Sequence, residues 1–192
     1  MILIKKYPEP AVDKIEILRY MGCAKPNSEA LNLLDICLEK CRSDLSYTVC
    51  YDEFPVSVQG GGVTFPFADV PSASLAKHLD GYEKAVIFAG TVGIGLDRLI
   101  LKYGRIAPSY ALAFQVIGAE RIEALCDAFC NDLKAEKSQI SPRFSPGYSD
   151  LPLEFQKEIF KVLDCNRKIG LSLNSALLMS PSKSVTAIIG VK

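Results

Sequence analysis

The run Lys84-Ala-Val-Ile-Phe-Ala89 gives the clearest indication of the fold. It is short, it is apolar after its first residue, and Gly81 precedes it while Gly90 follows it. An apolar run of this length, without polar alternation, is typical of a strand that is buried on both faces. We therefore expect this segment to form the central strand of a sheet.

Other segments predict the elements that surround this strand. Segments rich in β-branched and aromatic residues predict strands at 47–51, 54–58, 63–67 and 184–191, the first three separated by short turns that favour antiparallel pairing. Helical periodicity predicts helices at 11–22, 30–42, 72–79, 96–103, 109–133 with an interruption near Gly118, and 153–170. The sequence thus predicts an α+β fold, in which helices pack around a mainly antiparallel twisted sheet.

We expect residues 1–192 to form a single domain, because a chain of this length can fill one core. Within it, an N-terminal helical part covers about residues 1–45, and the part that carries the motifs covers about 84–192. Lys plus Arg and Asp plus Glu number 22 each, so no net charge favours nucleic acid. No segment has the apolar length of a signal peptide or a membrane helix, and we expect a cytoplasmic protein without nucleic-acid or membrane partners.

The seven cysteines and the single histidine do not show the spacing of a metal site or of a catalytic group. Cys37 with Cys41, and Cys126 with Cys130, have the i, i+4 spacing of a helix, unlike the Cys-x-x-Cys pairs of zinc sites. We expect reduced, mostly buried thiols, with a metal or redox role as the alternative. Ser-His-Asp chemistry is hard to build from a lone His78 in a polar segment, and a mixed Cys/His site has few candidates, so we expect no metal and no self-contained catalyst.

Gly90-Thr-Val-Gly-Ile-Gly95 lies between a predicted strand and a predicted helix, where phosphate-binding loops occur. Its glycine order is not that of dinucleotide-binding folds, and it lacks the lysine of a P-loop. The better interpretation is that these glycines permit close packing between strand and helix.

Arg143-Phe-Ser-Pro-Gly-Tyr148 is the candidate binding motif. Pro146 fixes its own φ, and Gly147 can adopt the positive φ of a tight turn. The bend would hold Arg143, whose guanidinium suits a carboxylate or phosphate, beside Tyr148. An ordinary Pro-Gly turn with a surface arginine is the alternative.

Glu123 and Asp127 have i, i+4 spacing on the long predicted helix, so both side chains can face the same way. A solvated acidic face is one interpretation. The other is that this face looks into a pocket near Arg143.

The Arg-x-x-x-Gly-Tyr pattern with Pro before Gly is followed by a helix and then by Met179-Ser-Pro-Ser-Lys-Ser-Val185. Over roughly residues 118–190 this order resembles the activation domain of cobalamin-dependent methionine synthase, a domain that binds S-adenosylmethionine. Lys14-Ile-Glu-Ile-Leu-Arg-Tyr-Met-Gly22 and Phe88-Ala-Gly-Thr-Val-Gly93 resemble their counterparts in small stand-alone versions. The fold that this resemblance implies agrees with the α+β prediction.

The resemblance also implies roles for the motif residues. Arg143 would bind the carboxylate of S-adenosylmethionine, and Phe144 with the neighbouring backbone would meet the adenine. Gly147 would let the backbone approach the ligand, and Tyr148 would close the site. Aligned on the apolar positions, Glu123 takes the place of the family's ligand-contacting glutamate.

Two features of the family are weaker in this sequence. The family supplies an aspartate near the start of the domain, for which Asp13 is the candidate here. It also supplies a tyrosine from the last strand, but no tyrosine follows Tyr148 in this sequence. These departures concern ligand affinity more than fold.

The implied function is that of a reactivation component, which positions the methyl donor S-adenosylmethionine for reductive remethylation of oxidised cobalamin. Cobalamin would come only through a partner, a methionine synthase or a related corrinoid protein, and a flavodoxin-like reductant is a further implied partner. The chain would belong to a methyltransferase system of methionine biosynthesis without catalysing alone. The alternatives are a non-catalytic interaction module that has lost the ligand, and a reactivator of another corrinoid methyltransferase.

Overall fold

The computed structural model of the protein describes residues 1–23 and 27–192; residues 24–26, inside the expected N-terminal helical part, lie outside the described residues. The strands are β1 Leu3–Tyr7, β2 Tyr47–Pro55, β3 Ser57–Gln59, β4 Gly62–Phe65, β5 Ala68–Val70, β6 Lys84–Thr91, β7 Ser172–Leu173, β8 Met179–Ser180 and β9 Ser184–Val191. The helices are α1 Lys14–Tyr20, α2 Ser28–Cys41, α3 Ala73–His78, α4 Gly95–Ile106, α5 Pro108–Glu136, α6 Gln156–Val162 and α7 Cys165–Ile169. Short 3-10 turns cover Arg42–Asp44 and Leu153–Phe155.

The main sheet has four antiparallel strands in the order β1-β2-β6-β9. β6 lies between β2 and β9, and every one of its residues after Lys84 is buried. In register, Ile87 lies opposite Asp52 on one side and Ile188 on the other. The expected central strand and the expected α+β fold with a mainly antiparallel sheet are both confirmed.

Side chains of β6 alternate between two hydrophobic clusters, one on each face of the sheet. Val86 and Phe88 belong to the cluster that α1, α2, α4 and α5 cover. Ala85, Ile87 and Ala89 belong to the cluster that α3, α6, α7 and the small sheet β3-β4-β5 cover. Because helices cover both faces, an uninterrupted apolar strand is the sequence that this position requires.

The edge strand β1 was not predicted, because residues 3–7 fall in the segment that the sequence assigned to the N-terminal helical part. β1 lies at the edge of the sheet beside β2, and all five of its residues are exposed or half-buried. Lys5 and Lys6 leave too little apolar alternation to mark a strand, and lysines of this kind are common on exposed sheet edges. Pairing with β2 stabilises this strand.

The helix α5 runs without interruption through Gly118, contrary to the break expected there. A Cβ at Gly118 would lie 2.7 Å from Cγ of Lys183 and 2.9 Å from Cδ1 of Leu96. The glycine therefore makes room for neighbouring elements and does not end the helix. The predicted helix at 153–170 is instead divided, because Asp164 adopts left-handed backbone angles between α6 and α7, while Gly170 ends α7 as expected.

Gly93, just before α4, and Gly95, its first residue, permit a close approach to a connection between elements and not the expected packing of strand on helix. A Cβ at Gly93 would lie 2.5 Å from Oγ of Ser46, and one at Gly95 would collide with the backbone carbonyl of Asp44. Both contacts come from the connection between α2 and β2. The glycines thus serve close packing, with a different partner from the one expected.

All seven cysteines are free thiols. Burial raises the pKa of Cys37 to about 11 and that of Cys41 to about 12. Within the described ranges, no helix is both long enough and apolar enough to cross a membrane.

Candidate functional site

The segment that carries the Arg143 motif lies along the outer edge of β9. Ile140 pairs with Val191 and Phe144 with Ile188, both antiparallel. The Phe144 amide donates to the Ile188 carbonyl at 2.9 Å, and the Ile188 amide donates back at 2.8 Å. Because successive side chains of an extended segment point to opposite faces, Arg143 is directed toward α5 and Phe144 toward α3 and α6.

Phe144 is a core residue in this arrangement. Its ring is buried, lies 5.0 Å from the His78 ring between centroids, and meets the Tyr148 ring edge-on at 5.5 Å. Its amide and carbonyl are both paired with Ile188. The Phe144 ring and both of its backbone polar groups are therefore already engaged within the protein, contrary to the expectation that this side chain meets a ligand.

The bend after Phe144 has the geometry that its sequence predicts. Gly147 has φ of +87° and donates its amide to the Leu151 carbonyl at 2.9 Å. The Tyr148 amide donates to the Ser145 carbonyl at 3.1 Å, and the Leu151 amide donates to the Tyr148 carbonyl at 3.1 Å. These bonds fix the backbone while the Tyr148 side chain stays 68% exposed.

Arg143 lies between the two carboxylates whose spacing suggested a common face. Its Nη2 donates to Oε2 of Glu123 at 2.8 Å, and its Nη1 donates to Oδ1 of Asp127 at 2.8 Å. The Arg143 side chain is 26% exposed. Burial by itself would lower the pKa of Arg143, but neighbouring negative groups, including these two carboxylates, outweigh burial and raise it. Arg143 is therefore a fixed cation at the surface of α5.

An acidic cleft of about 680 Å³ opens on the other side of these carboxylates, between α1 and α5. Five of its lining residues are acidic: Asp13, Glu16, Glu120, Glu123 and Asp127. Pro10, Ala11, Tyr20, Ala124, Ala128 and Asn131 complete the lining. In the part of the chain that the structure describes, no group of three or more His, Cys, Asp or Glu side chains is arranged to hold a metal ion. The Glu16 carboxylate of this lining is paired with Arg19, within α1.

Asp13 shares this cleft with Glu123, although 110 positions separate them in the sequence. Its Oδ1 accepts from the Glu16 amide at 3.0 Å, so it is the N-cap of α1. Its own amide donates to Oε1 of Glu120 at 3.0 Å. The structure thus brings the candidate N-terminal aspartate and the candidate glutamate into one cavity.

A buried ion pair fixes the chain that leads to Asp13. Arg121 is fully buried and pairs with Glu120, its neighbour in sequence. Its Nη1 donates to the Pro10 carbonyl and its Nη2 donates to the Ala11 carbonyl, both at 2.7 Å. A buried charge is tolerated only with such partners, and here the partners attach the N-terminal segment to α5.

Two further cleft residues, Glu16 and Tyr20, were not identified from the sequence. Both Ile15 and Tyr20 are apolar in character within the predicted helix at 11–22, yet Ile15 is 78% exposed and Tyr20 is 41% exposed. The buried residues of α1 are Ile17 and Leu18. A two-turn helix has too few residues to define its buried face, so no sequence signal marked Tyr20 as a cleft residue.

A smaller cavity of about 370 Å³ adjoins the loop itself. It is lined by Asp127, Cys130, Lys134, Ile140, Ser141, Pro142 and Arg143. Asp127 lines this cavity and the acidic cleft alike. Arg143 and its carboxylate partners therefore form the wall between two concave surfaces.

The second motif, residues 179–185, packs elsewhere. Lys183 donates from Nζ to Oε1 of Gln115 at 2.6 Å, and the Ser182 amide donates to the Asp97 carboxylate at 3.2 Å. Gln115 lies near the start of α5, about two turns before Glu123. The structure thus brings Arg143 to Glu123 near the middle of α5, whereas the second motif packs closer to the start of that helix. Phe144, Gly147 and Tyr148 share the loop with Arg143, but Phe144 is directed to the opposite face of the sheet.

Comparison with known proteins gives a likeness in structure. No family model matches the sequence, and no curated protein matches it. Among solved structures, the MetH reactivation domain bound to AdoHcy matches over 99% of this chain and 78% of that chain, with a TM-score of 0.75 and 14% sequence identity. At this identity the likeness is one of fold. The chain therefore has the fold of the MetH reactivation domain, as the motif resemblance implied.

Proposed function

We propose that this protein binds S-adenosylmethionine between Arg143 and the acidic cleft and serves as a reactivation component for cobalamin-dependent methionine synthase. The observation that carries the proposal is the Arg143 guanidinium, held by Glu123 and Asp127 at the border of an acidic cleft. The fold of the MetH reactivation domain, solved with AdoHcy bound, supports it.

The methionine end of S-adenosylmethionine complements this arrangement of charges. It carries an ammonium and a carboxylate on one carbon, and the site presents carboxylates next to a guanidinium. Arg143 donates two of its five N–H groups to Glu123 and Asp127, so three N–H groups are left for a ligand carboxylate. The ligand ammonium can then share Glu123 or Asp127 without leaving a charge unpaired.

The sulfonium of S-adenosylmethionine gives a second reason for the acidic lining. A sulfonium is a cation that cannot donate a conventional hydrogen bond, so it is stabilised chiefly by nearby negative charge. The Asp13 carboxylate adds negative charge to the α1 side of the cleft, where the Glu16 carboxylate is already paired with Arg19. The residues present therefore fit both cationic centres of the ligand.

When bound, S-adenosylmethionine supplies an activated methyl group. The role of this chain would be to hold that ligand by its amino-acid end and to orient it, so that transfer occurs within one complex. The corrin cofactor would come from a partner protein, methionine synthase or a related corrinoid protein, and a flavodoxin-like protein would supply electrons. The exposed Tyr148 ring would close the ligand site at the loop.

Titration of the purified protein with S-adenosylmethionine, with adenosine as the control ligand, tests the proposal. We expect saturable binding of S-adenosylmethionine and at least about tenfold weaker binding by Arg143→Ala, because a charge-assisted, partly buried contact is lost. Arg167→Ala is the matched control, since Arg167 is highly exposed and pairs only with Asp164, within its own turn. Wild-type affinity in Arg143→Ala would contradict the proposed site.

Comparison of S-adenosylmethionine with AdoHcy, which lacks the sulfonium charge, tests the acidic cleft. We expect the charged ligand to bind more tightly at low salt, and the difference to shrink as salt screens the cleft. Asp13→Asn reduces the preference if Asp13 faces the cation. Equal affinities at every salt concentration would rule out a role for the acidic lining.

A non-catalytic interaction module is the second candidate function, favoured by the lack of a tyrosine in β9 and by an Arg143 that already pairs with two carboxylates. Absence of S-adenosylmethionine binding, together with capture of a corrinoid protein, would favour this module. If the ligand binds, pull-down experiments with cobalamin-loaded methionine synthase and with other cobalamin-loaded methyltransferases identify the corrinoid protein that this chain reactivates.

A further inference from the structure

The only histidine of the chain lies against the start of the Arg143 loop. His78 is the last residue of α3, and its Nε2 lies 2.8 Å from the Pro142 carbonyl oxygen and 3.0 Å from Oγ of Ser141. Its ring also packs on Phe144, with 5.0 Å between centroids. A single side chain therefore contacts each of the residues 141, 142 and 144.

The partners of His78 define which nitrogen carries a proton. A carbonyl oxygen can only accept, so Nε2 must donate to Pro142. The Ser141 hydroxyl donates to the same carbonyl at 2.9 Å and accepts from the Gly190 amide at 2.8 Å. The histidine thus fixes the orientation of the peptide that joins Pro142 to Arg143, while β9 holds the segment from the other side.

The same short helix holds the far end of the loop. The Asp150 carboxylate accepts from Oγ of Ser72 at 2.6 Å and from the Ala73 amide at 2.8 Å. The hydroxyls of Ser74 and Ser149 lie 2.8 Å apart. The chain from Ser141 to Asp150 is therefore attached at both ends to α3 and its N-cap.

We propose that His78 is a positioning residue for the Arg143 loop, which holds the backbone so that Arg143 reaches Glu123 and Asp127. The consequence for ligand affinity rests on the proposed function. The effect of His78 on the loop itself does not rest on the proposed function, and it can be measured without any ligand. The hydrogen bond from Nε2, more than the bulk of the ring, carries this role.

Hydrogen exchange of the loop amides, read by mass spectrometry on peptides that cover residues 141–151, tests the proposal. His78→Phe keeps a ring against Phe144 but removes the donor, whereas His78→Gln keeps a donor without the ring. We expect the Phe144, Gly147 and Tyr148 amides to exchange about fivefold faster in His78→Phe, the factor for one lost hydrogen bond, and near the wild-type rate in His78→Gln. Lys77→Ala, on an exposed position of the same helix, is the control.

Titration of the same variants with S-adenosylmethionine measures the consequence for binding. We expect weaker binding by His78→Phe and recovery in His78→Gln, with equal thermal midpoints. Wild-type loop exchange in His78→Phe, or acceleration that extends equally to β6 in both variants, would overturn the proposal. If the wild-type protein binds no S-adenosylmethionine, the proposed function fails, while the exchange rates still decide the role of His78.

Discussion

Gly147 shows how one residue shapes the candidate site. Its φ of +87° lies in the left-handed region, where a side chain is strained, and it follows Pro146, whose ring fixes φ. A Cβ at this position would also lie 3.1 Å from Cδ1 of Leu153. The bend between Arg143 and Tyr148 therefore depends on the absence of a side chain at Gly147.

Gly147→Ala tests this dependence, with Gly170→Ala as its matched control. Gly170 also has a positive φ, of 66°, but a Cβ there would meet open space. We expect each variant to lose about 1–2 kcal/mol of stability in urea denaturation, because an alanine is strained at these angles. Only Gly147→Ala would also weaken S-adenosylmethionine binding by titration. Unchanged affinity in Gly147→Ala would show that the bend does not shape the ligand site.

The helix α4 contains two glycines with opposite surroundings. Gly95, in its first turn, faces the backbone carbonyl of Asp44 in the connection that precedes β2. Gly104, near its end, has open space where a Cβ would lie. One glycine is required by packing between elements, and the other only weakens the helix.

Alanine substitutions at these two positions are therefore predicted to change the free energy of unfolding in opposite directions. Gly104→Ala is expected to raise the free energy of unfolding by up to about 1 kcal/mol, because alanine has the higher helix propensity. Gly95→Ala is expected to lower it by about 1–3 kcal/mol, since the Asp44 backbone must move. Urea denaturation of both variants measures the two values. A stabilised Gly95→Ala would mean that the contact with Asp44 relaxes at no cost.

At the scale of the whole molecule, Glu53 joins three elements. It lies on β2, its Oε1 accepts from Nζ of Lys84 on β6 at 2.9 Å, and its Oε2 pairs with Lys137, just after α5. Hydrogen bonds from Lys137 and then from Lys84 lower the pKa of Glu53 from its ordinary value of 4.5. Because the folded state binds this proton less readily, the interaction stabilises the fold above pH 4.5 and is lost as the pH falls through the lowered pKa.

Glu53→Gln is expected to be about 1 kcal/mol less stable than the wild type at pH 7, since the three side chains are partly exposed and solvent screens their charges. The difference in free energy of unfolding between the two proteins is expected to disappear as the pH falls below 4.5. Urea denaturation of both proteins at several pH values measures it. Glu39→Gln, at an exposed pair with Arg42, is the control and is expected to change little. A difference that stays constant with pH would exclude the carboxylate as its cause.

Local features of the sequence were enough to predict some parts of this molecule. The apolar run of β6, the i, i+4 spacing of Glu123 and Asp127, and the Pro146–Gly147 bend depend on residues close together in the chain, and each gives the expected local structure. The edge strand β1 and the continuity of α5 at Gly118 were not predicted, because each depends on a partner distant in sequence.

The fold class, the bend of the loop and the identity of its cation therefore follow from local patterns of residues. The pairing of Arg143 with both carboxylates, the burial of Phe144, and the cleft that Asp13 shares with Glu123 follow instead from long-range packing. The Asp13 amide meets Glu120 across 107 positions of sequence. Contacts of this range depend on how helices pack on a common sheet, which no short pattern of residues specifies.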